Sequence, residues 1–567
     1  MAFTILVALV GLGPAAFAGS AAGPVPKCQP DAVVSRFWKE NDGKTVRRLP
    51  VGIAPENVFW SLGTRDFSDG MKTFDRLVDE GLSKSTYNCI TLTLRCNPEL
   101  GDAETIAAAK RCIDKAHAEG VKVYMDTDPR IARREFFAKW PEDRQGIAAV
   151  TLAEPKDGAA AFTSVFKPSQ DHMSWGSTDA YRPLAGRVAA AWAVKRRADG
   201  ELDFTTRRSV ETKSESSVRE WRETASGGVG HTDFSEVTVK GSATGLSADE
   251  TLLVVTVADY LSIDVFSPHL IPFCRDLLVK YREVGADGGM RDEWGFIAEH
   301  NPDWKHFFFS PHFAAAYAKA SGRDMLADLP LMACGRTGDA ARSAAVGAYM
   351  KLTLTRNAEI EQAFYDADKE VFGPDVYVCK HATWTTAMGP SEVYHNGLDW
   401  WQAKRDWAQG DELTPIFALN GMAKKFGGPV WLNEGYTQTA EHNVFRVWTY
   451  ALCGGRQVYH GMFGAAAYDK MPWAERRVRT STDLLAEGNV TAQARVRLTG
   501  LITRAQVDSP VAFVFGHESF VDWTDPAFCD CGRAQIAALM TKGWWVDAFP
   551  ASEFALGTFS VDGEGWI

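Results

Sequence analysis

From Gly52 onward, short apolar runs alternate with amphipathic stretches, a rhythm that predicts strand-helix units around a parallel sheet. The first strand is expected at Asn57 to Leu62, with a helix from Asp69 to Glu80 after it. The second strand is expected at Cys89 to Leu94, a helix at Ala103 to Glu119, and the third strand at Val121 to Asp126. Gly81 and Gly120 stand where each of these helices would close on a left-handed cap. Between about residues 146 and 263 the pattern changes to alternating runs such as Glu236-Val237-Thr238-Val239-Lys240 and Thr251 to Val257, with turn signals at Asp199-Gly200 and Gly227-Gly228. That segment predicts a β-rich insertion after the third strand, folded as a small sandwich.

The first rhythm then returns. A helix is expected from about Ser267 to Glu283, a fourth strand at Gly288 to Asp292, a helix at Pro311 to Ser321 and a helix-rich stretch from Asp339 to Phe372. The fifth strand is placed at Asp375 to Lys380, the sixth near Gly397 to Trp401, the seventh at Pro429 to Leu432 and the eighth at Arg456 to Tyr459. Eight strands closed by helices make an α/β fold of the (β/α)8 TIM-barrel kind, in two parts, 50–145 and 264–505. From 506 to 567 the pattern Val511 to Phe515, Arg533 to Thr541 and Trp544 to Ala548 reads as the start of a Rossmann-like α/β domain, incomplete in this sequence.

In such a barrel, chemistry sits where strands end. Arg291-Asp292-Glu293-Trp294-Gly295 and Trp431-Leu432-Asn433-Glu434-Gly435-Tyr436 each bring a carboxylate to that place. Cleaving a glycosidic bond needs one carboxyl to protonate the leaving oxygen and a second to attack or to activate water, so Glu293 and Glu434 are the catalytic candidates. Partial burial beside Trp294 and repulsion from Glu434 or Asp292 would keep Glu293 protonated as the acid, leaving Glu434 as nucleophile. The structural alternative is an ion pair of Glu293 with Arg291, while Asp406, Asp411 and Glu412 are substitutes for Glu434. Arg95, Asp126, Asp128, Asp292, His381, Trp384, Trp400 and Tyr436 are candidate substrate contacts, each with core packing or a salt bridge as the competing role. Asp66, Arg130 and His395 belong to the same group.

Acids at the ends of the fourth and seventh strands resemble the clan A glycoside hydrolases, especially β-galactosidase-like members with a Rossmann-like trimerisation domain. The resemblance implies a retaining glycosidase, and by analogy a homo-oligomer. In that group an Asn precedes the first acid, and Asp292 holds that place here. An Arg at the end of the second strand holds the nucleophile, and Arg95 in Thr93-Leu94-Arg95-Cys96 matches it. Trp400 and Trp401 stand near the place of a Tyr after the sixth strand, and Met462-Phe463 where a Trp follows the eighth.

A formal net charge of −11 argues against broad nucleic-acid or anionic-membrane partners. Nineteen Trp and fourteen Tyr supply flat faces that stack on sugar rings as well as fill cores. The apolar run Phe3 to Leu12 followed by Ala16-Phe17-Ala18 reads as a signal peptide over 1–18, although its first residues carry no Lys or Arg, and predicts a secreted or periplasmic protein. No later run reaches the ~18 residues of a membrane span. The ten cysteines are sparse, and several lie in apolar runs, where a free thiol behaves as a small hydrophobe. Cys529-Asp530-Cys531 is the one close pair, with no further ligand nearby to complete a metal site. No Gly-x-Ser-x-Gly elbow and no phosphate loop occurs, so serine hydrolases and nucleotide enzymes are disfavoured and no cofactor is expected. Two rival functions remain at this level: a catalytically silent carbohydrate-binding barrel, and a metal-dependent hydrolase with its ion near Asp126.

Overall fold

In the computed structural model the described residues are 57–63, 69–84, 88–95, 99–168, 181–224, 231–291, 305–376, 378–381, 407–410, 431–433, 456–463, 509, 511–515, 538–550, 561–562 and 565–566. The chain opens with strand β1 (Asn57–Gly63), helix α1 (Lys72–Lys84), β2 (Cys89–Arg95), α2 (Ala103–Ala118) and β3 (Lys122–Asp126). Helix α2 buries Ala108, Ala109, Cys112, Ile113 and Ala116, the three-to-four spacing of one helical face. These pack with Leu92, Leu94, Val123 and Met125 of the strands. Gly120, at φ 70°, closes that helix as expected. Gly81 does not close the first one: α1 continues through it to Lys84, because Leu82 is buried and extends the apolar face that Phe74 and Val78 begin.

After a 3-10 turn (Pro129–Ala132) and α3 (Arg133–Lys139), the chain leaves for the insertion. Its strands are β4 (Arg144–Ala153), β5 (Ala159–Phe166), β6 (Pro183–Arg196), β7 (Leu202–Ser209), β8 (Thr212–Thr224), β9 (His231–Thr244) and β10 (Glu250–Ile263). Helix α4 (Leu270–Glu283) leads back to β11 (Gly288–Arg291); β12 (His306–Phe309), α5 (Pro311–Ser321), α6 (Met325–Cys334) and α7 (Ala340–Phe372) follow. The remaining barrel strands are β13 (Cys379–His381), β14 (Trp407–Gly410), β15 (Trp431–Asn433) and β16 (Arg456–Phe463).

Eight strands close into one barrel in the order β1-β2-β3-β11-β13-β14-β15-β16. Every neighbouring pair in that ring is parallel, including β1 with β16. The sixth strand is a correction: it is β14 at Trp407–Gly410, and the run Gly397 to Trp401 precedes it in the chain. Trp400 therefore stands before the strand's start, whereas Asp411 and Glu412 follow its end. A four-residue strand beside a Trp-rich run carries too little periodicity to be placed from sequence.

The insertion forms two antiparallel sheets, β12-β4-β10-β6-β7 and β5-β9-β8. Two features depart from expectation. Strand β10 is not alternating but buried along most of its length, as suits a central strand covered on both faces. Residues of the second sheet, such as Phe162 and Val239, and of the helices, such as Leu329 and Met332, share its core. The other is β12, which follows β11 in the chain yet pairs with β4, Phe309 opposite Gly146. The sandwich thus receives a strand from the segment after the fourth barrel strand, and it begins at Arg144. Near the end of the chain, β17 (Val511–Phe515) and β18 (Val546–Pro550) run parallel, Val511 opposite Val546.

Candidate functional site

The register of the strands determines which residues face the barrel interior. In β2, Ile90, Leu92 and Leu94 belong to the core shared with α1 and α2, so the alternate positions Cys89, Thr91 and Thr93 face inward. Thr91 lies opposite Tyr124 in β3, and Tyr124 opposite Gly288 in β11. The inward row therefore continues to Asp126 and Met290, which are paired in register.

Two glycines make this corner possible. A Cβ on Gly288 would fall 2.2 Å from the Tyr124 ring, and one on Gly289 would fall 2.3 Å from Leu278 of α4. The Gly289 N–H donates to Asp368 of α7 at 2.9 Å. The fourth strand is in this way pressed between a ring inside and two helices outside.

Asp126 ends β3 fully buried. Its Oδ2 accepts from the Thr93 hydroxyl at 3.0 Å and its Oδ1 from the Asp128 N–H at 3.1 Å. Asp128, also fully buried, has a different role. It caps the 3-10 turn by accepting from Arg130 N–H at 2.8 Å, and its carboxylate is clasped by the Arg130 guanidinium, with Nη2 to Oδ2 at 2.7 Å. Both partners are almost completely enclosed, and removing one would leave a buried unpaired charge at a cost of about 3–5 kcal/mol. Thr127 N–H continues the ladder to Met290 O at 2.8 Å.

Arg291 is the last residue of β11 and is fully buried, with its guanidinium 5.3 Å from the centre of the Phe364 ring on α7. By alternation it shares the outward face of Gly289. Cys274 of α4 is also enclosed, and burial pushes its thiol up to about 12. Cys112, Cys274 and Cys334 are free thiols.

Arg95 is the last residue of β2, level with Gly63 of β1. His381 is the last residue of β13, level with Gln409 of β14. Asp292, Glu293, Trp384, Trp400, Glu434 and Tyr436 lie outside the described residues. In sequence, Asp292 directly follows the end of β11 and Glu434 directly follows Asn433, the end of β15. The residue that sequence reasoning missed is Thr93, whose hydroxyl orients Asp126. Its signal was available in Thr91-Leu92-Thr93-Leu94, where the polar positions alternate with the apolar ones that pack outward. Among the described residues no three His, Cys, Asp or Glu side chains gather as metal ligands, and no helix is long and apolar enough to cross a membrane.

No protein-family model matches the sequence, and no curated protein matches it at a significant level. Among solved structures the chain is similar to a rhamnosidase from Novosphingobium sp. PP1Y, at 10% identity and a TM-score of 0.42 over 91% of this chain and 64% of that one. It is similar also to a cold-adapted β-galactosidase from Rahnella sp. R3, at 11% identity and a TM-score of 0.44 over 87% of this chain and 65% of that one. A morphinone reductase shares 12% identity at a TM-score of 0.29, over 75% of this chain and 86% of that one. The chain spans a little under two thirds of the length of the rhamnosidase and the β-galactosidase.

Proposed function

We propose that this protein is a glycoside hydrolase built on a (β/α)8 barrel, with Glu293 as general acid and Glu434 as nucleophile. The observation that carries the reading is the closed parallel barrel in which the fourth and seventh strands end at Arg291 and Asn433. Parallel strands in one ring direct all their C-terminal ends to one rim, and the two acids are the next residues but one and the next residue after those ends. That rim also holds Asp126, poised by Thr93, and the backbone of Arg95.

In this reading Glu293 protonates the leaving oxygen as the glycosidic bond breaks, and Glu434 attacks the anomeric carbon to form a glycosyl-enzyme. Water then displaces that ester with Glu293 acting as base, which retains the anomeric configuration and calls for carboxyl groups about 5 to 5.5 Å apart. Arg95 keeps Glu434 ionised, and Asp126 accepts a sugar hydroxyl. In this reading the sandwich, which takes β12 from beyond the fourth barrel strand into its sheet, is the wall on one side of the pocket; a walled pocket favours cleavage at chain ends. Clan A membership, export by residues 1–18, a secreted or periplasmic location and trimerisation through a Rossmann-like C-terminal unit are parts of the same proposal.

A panel of aryl glycosides incubated with the purified protein tests it. One or more should be cleaved, NMR of the first-formed sugar should show retained configuration, and Glu293→Gln and Glu434→Gln should abolish turnover. Full activity in both variants would remove these residues from the mechanism, and an inverted product would remove the covalent step.

A further inference from the structure

The chain passes between the five-stranded sheet and the helices at three described places. Residues 140–143 lead from α3 into β4, residues 264–269 lead from β10 into α4, and Ser310 joins β12 to α5. All three meet at one carboxylate. Asp143, 1% exposed, accepts from the Ser267 hydroxyl, from His269 Nδ1 at 2.7 Å and from His312 Nε2 at 3.2 Å. The Asp143 carbonyl accepts from the Asp264 N–H at 3.0 Å. His269 stacks on Trp140 with ring centres 4.6 Å apart and planes 7° from parallel.

A second carboxyl lies in the same knot. Asp264 is 1% exposed; its Oδ1 accepts from the Phe266 N–H at 2.9 Å, and its Oδ2 has no hydrogen-bond partner among the described residues. The charged and titratable groups around the pair come from every adjoining element. They are Lys139 beside Trp140, Glu142 in the first crossing, Arg144 at the start of β4, His269 before α4, His312 in α5, and Arg356 of α7. Arg356 donates to the carbonyls of Val265 at 2.8 Å and Ser267 at 3.2 Å.

We propose that the Asp143–Asp264 pair, with its serine and histidine donors, is a proton-operated joint: a proton held on Asp264 keeps the seam between the sandwich sheet and the helices closed, and its release loosens all three crossings together. An enclosed carboxylate is charged only at a cost unless donors compensate it; Asp143 has three side-chain donors, whereas Asp264 Oδ2 has none among the described residues. Burial pushes the Asp143 carboxyl up, but the Ser267, His269 and His312 hydrogen bonds outweigh it and hold it below the ordinary range. Burial pushes Asp264 up to about 6, with the Ser310 hydroxyl and the Phe266 N–H opposing.

The signs follow from linkage. What Asp264 lends the closed joint is complete below its ordinary 3.8 and is lost as the pH rises through about 6. The contribution of Asp143 runs the other way, present above 3.8 and lost in stronger acid. The joint is therefore tightest near about pH 4 and loosest above 6.

Amide hydrogen exchange on the full chain between pH 4 and 6.5, corrected for intrinsic rates, tests this at the N–H groups of Asp264, Phe266 and Ser267. Their opening constants should rise about fiftyfold across that range in the wild type, while amides in the middle of β10 stay unchanged. Asp264→Asn should flatten the rise and keep protection at its acid level throughout. A wild-type change below about threefold, or an Asp264→Asn curve that follows the wild type, would overturn the proposal.

Discussion

The barrel and the sandwich use β-strands in opposite ways. Barrel strands β11, β13, β14 and β15 have three or four residues each, whereas sandwich strands β6, β9 and β10 have fourteen. In the barrel, Asp126 and Arg291, each the last residue of its strand, are fully buried charges. In the sandwich the charges are largely exposed and matched across strands, as in Arg222 with Asp233 and Arg187 with Asp259. A short strand contributes little packing and mainly delivers its final residue to a rim, while a long one buries a continuous apolar run. The contrast teaches where each kind of substitution should be felt: chemistry in the barrel, stability in the sandwich.

The sharpest way to break that division is at its chemical end. Glu434→Gln should lower glycoside cleavage by at least about a thousandfold, with the thermal midpoint unchanged; a variant that keeps its rate but melts early would make the acid a structural one. Next comes Leu253→Ala, at a fully buried position of β10, which should cost about 2–5 kcal/mol in denaturant unfolding. If it instead abolished activity without loss of stability, the sandwich would be doing chemistry.

A smaller effect is expected at Arg208, whose Nη2 lies 2.7 Å from Glu250. The Arg208 guanidinium holds the Glu250 carboxyl down to about 2. The stabilisation is therefore present above the ordinary value of 4.5 and lost as pH falls towards 2. Arg208→Met should cost about 1–3 kcal/mol at pH 7, and the gap to wild type should close in acid titration. The smallest effect belongs to Lys110 and Asp114, an exposed pair one turn apart on α2. Lys110→Ala should move stability by no more than about 0.5 kcal/mol, and a larger change would show that surface pairs matter here more than their exposure allows.

Seven of the eight barrel strands were legible in the sequence because each is a β-prone run, and the first three are joined by helices of clear apolar period. Pro311–Ser321 was expected as a helix with the bounds it has, since Ser310 caps it through the Phe313 N–H and Gly322 ends it at φ 70°. The sixth strand was misplaced for want of length, and β10 looked alternating because Thr251 and Thr256 are polar by name yet fully buried. The pairing of β12 with β4 had no local signal, since His-Phe-Phe-Phe says only that something apolar must be covered. At the candidate site, Asp126 was named from its place at a strand end, but that Asp128 clasps Arg130 depends on a backbone turn invisible to periodicity.

The strand β12 has a practical consequence for anyone who would remodel this molecule. The sandwich looks like a cassette spliced between the third and fourth barrel strands, yet its outer edge is donated from beyond the fourth. Excising residues 144–263 would strand Phe307, Phe308 and Phe309, now at 0%, 0% and 5% exposure, as an orphaned greasy ribbon inviting aggregation. A graft that moved only the contiguous segment would arrive with an open flank, so the two modules can be exchanged between scaffolds only as an interlocked whole.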